Sequence, residues 1–217
     1  HLLILGGAGE GKTTLANIIA HELDAELIYI NGASVSNTVV FRKPIKDAVT
    51  AGAEKRFIVL VDESHALPKL VQDNLLSALE KPSILCTKLP RRVQIGAGKF
   101  LEKGDILKEK LPDNLTFILC TTNKEKLSDP LISRLHPIYL DSYETKDKVL
   151  NIKKLLDAKN IEYTVEGLDI LGGAAKTMRH ATKLTERLIG YAAVYEIDYL
   201  NAADIVRFLE IMDLISG

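Results

Sequence analysis

The sequence predicts a three-layer α/β domain followed by a small all-helical domain, on three observations. Five short apolar runs, Leu2–Leu5, Glu26–Ile30, Phe57–Val61, Thr116–Cys120 and Pro137–Leu140, read as strands. They are near-continuous in hydrophobicity rather than alternating, the pattern of parallel strands covered on both faces. Helix-periodic segments separate them, which sets a ligand at the carboxyl ends of the strands. After about residue 141 only helical patterns remain. We therefore expect an α/β domain over 1–140 and a helical domain over 141–217.

The elements follow in order. Leu2–Leu5 runs into Gly6–Thr13, GGAGEGKT, a full match to the phosphate-binding loop G-x-x-x-x-G-K-[ST]. A strand, a Gly-rich turn and a helix start in register point backbone N–H groups and a positive helix end at one anion. Gly6, Gly9 and Gly11 are the positions expected to use positive φ or close approach. Gly7, Ala8, Glu10 and Thr14 complete the candidate nucleotide-binding set. Lys12 reaches terminal phosphates, and the Thr13 hydroxyl is a candidate Mg²⁺ ligand. The helix Thr13–Leu23 turns Leu15, Ile18, Ile19 and Leu23 to one face; Lys69–Glu80 does the same with Leu70, Val71, Leu75 and Leu79.

Phe57–Val61 ends in Asp62-Glu63, about fifty positions after the loop. A carboxylate at that strand tip suits the metal, and its neighbour suits activation of a water, so Asp62 is the candidate metal ligand and Glu63 the candidate general base. His65 reads as a hydrogen-bonded structural residue. The strand Thr116–Cys120 ends in Thr121-Thr122-Asn123, which suits either sensing of a γ-phosphate or a turn and helix cap. Further on, SDPLISRL places Arg134 at the end of a short helix with Ser128 as its N-cap and Pro130 in its first turn. Arg134 is either a surface charge or a finger reaching a neighbouring subunit.

Between Pro82 and Asn114 the chain alternates apolar and polar residues around Gly96-Ala97-Gly98, predicting a β-hairpin over about 83–113. From Lys88 to Lys110 it holds seven Lys/Arg against three Asp/Glu. With Val93, Ile95, Phe100 and Leu101, this basic arm suits an acidic protein surface or a phosphate backbone. Lys146–Ala158, Val165–Gly172, Arg179–Tyr195 and Asn201–Leu214 read as helices, with Gly172-Gly173 and Glu196-Ile197-Asp198 as breaks.

Composition adds exclusions. Hydrophobic residues make up 47% of the 217 residues, enough for a sizeable core, and a net charge of −1 excludes a globally basic surface. Cys86 and Cys120 have no metal spacing, and Cys120 reads as a small core residue. No signal peptide or long apolar span is visible, so we expect a cytoplasmic protein with no membrane contact. The chain opens at His1, one residue before a core strand, and residues upstream are expected.

GGAGEGKTTLANIIAHEL, VDESHALPKLVQDNLLSALE, FILCTTNKEKLSDPLISRL and KTMRHATKLTERLI, in this order and spacing, resemble an AAA+ ATPase. Within that superfamily they resemble the RuvB family, ring-forming motors of Holliday-junction branch migration. The resemblance spans nearly the whole chain and implies a P-loop AAA+ domain with a five-stranded parallel sheet and a helical lid. It implies that the loop residues with Lys12 and Thr13 bind ATP and Mg²⁺, and that Asp62 and Glu63 are the metal and water-activating acids. Thr122 becomes a first sensor, Arg134 a trans-acting finger, and Arg179 a second sensor reaching from the lid to the γ-phosphate. Tyr143 resembles an aromatic residue near the nucleotide base.

The implied function is a homo-oligomeric motor, a hexamer, acting on duplex or junction DNA in recombination and repair, with helicase-type activity and a protein partner docked on the 83–113 hairpin. Lid closure over the nucleotide would couple its phosphate state to subunit rotation. The chain departs from the family pattern: Gly7-Ala8 stands in place of Pro-Pro, Asn123 in place of an Arg, and Leu135 in place of Phe. With the sequence ending at Gly217, short of the family's winged-helix domain, we expect a divergent or trimmed member. A clamp-loader-like subunit using ATP as an assembly switch fits the finger and the Thr pair but not the hairpin. A polypeptide-pulling remodeller would show an aromatic pore loop, for which 31–55 offers only Phe41.

Overall fold

The computed structural model describes residues 1–51, 55–89, 91–96 and 98–212. Its first compact unit comprises His1–Gly6 and Lys12–Leu140. Along the chain lie β1 (Leu2–Leu5), α1 (Lys12–Glu22), β2 (Ala25–Asn31), α2 (Thr38–Ala51), β3 (Arg56–Asp62), α3 (Lys69–Leu76), β4 (Ile84–Lys88), β5 (Val93–Gly96), β6 (Lys99–Leu101), β7 (Ile106–Lys110), β8 (Leu115–Thr121), α4 (Asp129–Ile132) and β9 (His136–Tyr139). The expected five-stranded parallel sheet forms, in the order β2-β3-β8-β1-β9. Its register aligns the strand ends: Leu5 sits beside Thr121 and Asn31 beside Asp62. The segments after β1, β2, β3 and β8 therefore converge on one edge.

Both faces are dry, which is why the strand runs are continuously apolar. On one face Leu3, Phe57, Val59, Phe117 and Leu119 meet Phe41 and Ile45 of α2, Val71 and Leu75 of α3, and Leu131 of α4. On the other, Ile4, Ile58, Leu60, Ile118 and Cys120 meet the small Ala16 and Ala20 of α1. Cys120 is fully buried; burial first, and then the Asp62 charge, pushes its thiol up to about 12, so it stays a neutral core side chain.

Several expectations are corrected here. The helix α2 was not foreseen: it carries Pro44 in its interior, yet Phe41 and Ile45 at i, i+4 spacing bury completely or nearly so. The helix read as Lys69–Glu80 ends at Leu76, and Leu79 packs from the following turn while Leu70 stays exposed. Ser128 precedes α4, but its side chain makes no cap bond, and its hydroxyl has no partner among the described residues. Its backbone N–H instead donates to Gln72 Oε1 at 3.0 Å.

The hairpin segment is a two-stage arm. At its base β4 pairs antiparallel with β7; farther out β5 pairs antiparallel with β6 through a register shift. Leu85 and Leu111 join the core, and Arg42 of α2 forms an ion pair with Glu109. The outer part is exposed, with the Arg92 guanidinium 4.0 Å over the Phe100 ring and 2.9 Å from Glu102. Ala97 of the expected turn and the Ile95 side chain lie outside the described residues.

The second unit comprises Asp141–Gly217 together with the loop Gly7–Gly11. Its helices are α5 (Thr145–Asp157), α6 (Val165–Ala174), α7 (Met178–Val194) and α8 (Ala202–Ile211), with a short parallel bridge between β10 (Glu162–Tyr163) and β11 (Tyr199–Leu200). Ile152, Leu156, Leu171, Leu184, Leu188, Ile205 and Leu209 form its core. Thr164, Thr177 and Asn201 accept backbone N–H bonds at the starts of α6, α7 and α8. Gly172-Gly173 does not break α6. A Cβ on Gly172 would lie 2.5 Å from Val149 Cγ2, so the glycine permits close packing against α5. Residues 213–214, expected in the last helix, lie outside the described residues.

Candidate functional site

In the first unit, α1 begins at Lys12 immediately after the loop. Lys12 is buried and its Nζ donates to Gly6 O at 3.0 Å. One residue on, the Thr13 hydroxyl donates to Asp62 Oδ2 at 2.8 Å across 49 positions of sequence. Strand alternation accounts for this meeting. Ile58 and Leu60 face α1, so Asp62, next in that series, leaves the end of β3 toward the same helix. The other Asp62 oxygen, Oδ1, accepts the Glu63 N–H at 2.9 Å. Hard oxygen donors suit Mg²⁺, and a hydroxyl beside a carboxylate supplies two of them, so these residues fit that ion.

Tyr29 was not anticipated. Its pKa is raised by burial and then by the Asp62 and Glu63 charges. A Tyr in a strand carries no motif, so only the pairing of β2 with β3 reveals it.

Glu63 leaves strand geometry altogether: its φ is 50° and ψ 41°, the left-handed region costly for a side-chain-bearing residue. That turn aims its carboxylate away from Asp62 and toward His65, whose Nε2 lies 3.4 Å from Glu63 Oε2. His65 Nδ1 lies 3.0 Å from Thr121 Oγ1. The Ser64 hydroxyl donates to Cys120 O at 3.0 Å, fastening the turn to β8. Gly32 makes this geometry possible: a Cβ there would stand 2.6 Å from Glu63 O and 3.1 Å from Asp62 O.

At the end of β8, Thr121 is buried and Thr122 exposed. The Thr121 hydroxyl accepts the Asn123 N–H at 3.0 Å, and Thr122 makes none of these contacts. The structure thus joins Thr121, rather than Thr122, to the Glu63–His65 pair. Arg134 follows α4; its Nη2 and Nε lie 2.6 and 2.7 Å from Glu80 Oε1, and its Nη1 donates to Pro130 O at 2.7 Å.

In the second unit the loop is shaped by two positive φ angles, 81° at Gly9 and 86° at Gly11, and not at Gly6 as expected. A Cβ on Gly9 would lie 3.0 Å from Thr177 Oγ1 and 3.2 Å from Arg179 Cβ. One on Gly11 would lie 3.2 Å from the Tyr143 hydroxyl. Glu10 is buried and accepts the Tyr143 N–H at 3.2 Å, which makes it an anchor of the loop. Arg179, in the first turn of α7, is exposed, and Gly7, Ala8 and Thr14 are exposed as well.

A P-loop, a carboxylate pair at the tip of β3, one strand removed from the loop's own β1, and a helical unit define a nucleotide-binding protein of the AAA class. The profile of the family described as "ATPase family associated with various cellular activities (AAA)" matches residues 2–142, and the chain belongs to that family.

Within it the chain is RuvB-like. It is 28% identical over 216 residues to the Holliday junction branch migration complex subunit RuvB of Thermotoga petrophila and to that of Thermotoga maritima, covering 99% of this chain and 60% of each relative. The structure of the Thermotoga maritima RuvB Holliday junction branch migration motor superposes with a TM-score of 0.74 at 26% identity, over 97% of this chain and 61% of that one. A proline-to-glycine variant of the same protein gives 0.76 at 26% identity, over 98% and 62%. The chain spans about three fifths of the length of these relatives. Among the described residues no helix is long and apolar enough to cross a membrane.

Proposed function

We propose that this chain is the ATP-hydrolysing core of a ring-forming motor that acts on duplex or junction DNA. The observation that carries the ATP-hydrolysing part of the reading is the Thr13–Asp62 contact with Glu63 beside it, at the carboxyl edge of the sheet, and the similarity to RuvB supports the ring and the DNA. Lys12 and the N–H groups of the loop bind the phosphates, and Thr13 and Asp62 hold Mg²⁺. When bound, that ion supplies charge neutralisation on the β- and γ-phosphates. Glu63 orients and deprotonates the attacking water, while Thr122 and Arg179 act as sensors of the γ-phosphate. Tyr143 flanks the nucleotide base. Arg134 completes the site of the next subunit, the ring is a hexamer, and the basic arm docks a protein partner.

The test is ATP turnover against protein concentration, with and without four-way-junction DNA. The proposal expects turnover that rises more steeply than linearly with concentration and increases with DNA. Concentration-dependent turnover indifferent to DNA would keep the ring and remove the DNA role. Tight nucleotide binding without turnover would favour an assembly switch instead.

A further inference from the structure

We infer that His65 is a positioning residue that ties Glu63 to the end of β8, so that the loop at Thr122-Asn123 governs whether the carboxylate is held. This rests on the reading of Glu63 as general base. Glu63 is half-exposed, with 46% of its side chain accessible, whereas His65 is largely enclosed at 17%. An exposed carboxylate on a strained residue has several rotamers open to it, and the His65 contact selects one.

The contacts run in sequence from Asn123 through Thr121 to His65 and end in the 3.4 Å approach of His65 Nε2 to Glu63 Oε2. Thr121 Oγ1 has one proton to give and three groups around it: His65 Nδ1 at 3.0 Å, Asn123 N at 3.0 Å and Asn123 O at 3.1 Å. With a neutral ring, two arrangements satisfy it. In the first, Asn123 N–H donates to Thr121, the Thr121 hydroxyl donates to His65 Nδ1, and Nε2 carries the ring proton on the side of Glu63 Oε2, 3.4 Å away. In the second, the Thr121 hydroxyl turns to Asn123 O and His65 Nδ1–H donates to Thr121. Nε2 then offers a lone pair to a carboxylate, and the hold on Glu63 disappears. A rotation of one hydroxyl, coupled to exchange of the ring proton from Nε2 to Nδ1 through water, therefore switches the base between held and released. The residues that set that rotation adjoin Thr122, the proposed γ-phosphate sensor.

The experiment measures ATP turnover, ATP KM and ADP affinity on the full chain for H65A, H65Q, T121V, T121S, the H65A/T121V pair and E63Q. Loss of an orienting partner typically costs about 10- to 100-fold in rate, and H65A is expected to lower kcat in that range with KM and ADP affinity within about twofold. H65Q, whose amide N–H replaces Nε2–H, recovers most of the loss. T121V reproduces the fall while T121S does not, and the double variant is no slower than H65A alone.

Equal losses in H65A and H65Q, a change confined to KM, additive losses in the double variant, or a common fall in thermal midpoint tracking the reduced turnover would each overturn the inference. E63Q separates the two levels. If E63Q turns over normally, the base reading falls and the inference with it. If E63Q is inactive while H65A is unchanged, only the positioning role falls.

Discussion

At the scale of single residues, Arg134, proposed above to complete a neighbouring subunit's site, is held within its own chain. Three of its donors are engaged by Glu80 and Pro130, so the guanidinium is pre-oriented at the end of α4 with its charge partly answered. A trans-acting finger stabilises charge that develops only in the transition state. R134A should therefore lower turnover by about 10³-fold and leave ATP affinity within about twofold; turnover assayed beside equilibrium nucleotide binding checks this. If Arg134 were only a structural cation, R134A and E80A would lower the melting point alike and both keep turnover. Lys12, Thr13, Asp62 and Glu63 were legible in the sequence because fixed spacing in one loop and one strand tip encodes them. His65–Thr121 and Arg134–Glu80 were not, since their partners stand 56 and 54 positions apart and only the sheet order and the turn after α3 bring them together.

At the scale of elements, the strands were legible because burial on both faces leaves a continuous apolar run, and the helices wherever caps frame a regular period. The helix α2 was obscured by Pro44, and α6 by Gly172-Gly173, where helical packing overrides local propensity. Gly32 marks the opposite case, a small residue whose meaning lies wholly in a neighbouring element. It follows β2 directly, and the backbone of Asp62 and Glu63 occupies the space its Cβ would take. Because that neighbour is backbone, relief requires the β2 and β3 tips to part. G32A should therefore cost about 1–3 kcal/mol of stability, the usual range for overpacking. It should also reduce turnover beyond what an equal destabilisation elsewhere, such as L75A, produces. Chemical denaturation and turnover assays on both variants decide this; equal turnover at equal stability would confine Gly32 to packing.

At the scale of the whole molecule, charge is divided unevenly. Of 28 Lys/Arg and 29 Asp/Glu, the arm from Lys88 to Lys110 holds seven and three, leaving the rest of the chain at −5 against +4 in the arm. The base of the arm is fixed by Leu85, Leu111 and the Arg42–Glu109 pair, whereas its outer part exposes Phe100 with Lys99 and Lys103 beside it. The reading proposed above, that this arm docks a protein partner, is the one favoured by an exposed aromatic among basic residues on an arm packed into the core at its base. Charge reversal by K99E, K103E and K108E together should therefore leave DNA-stimulated turnover and its dependence on salt close to those of the parent. Turnover followed across a KCl series in both proteins makes the distinction. If the arm instead meets the phosphate backbone, stimulation weakens and the log–log salt slope becomes shallower by about one for each phosphate no longer neutralised, which would transfer the arm from the protein partner to the nucleic acid.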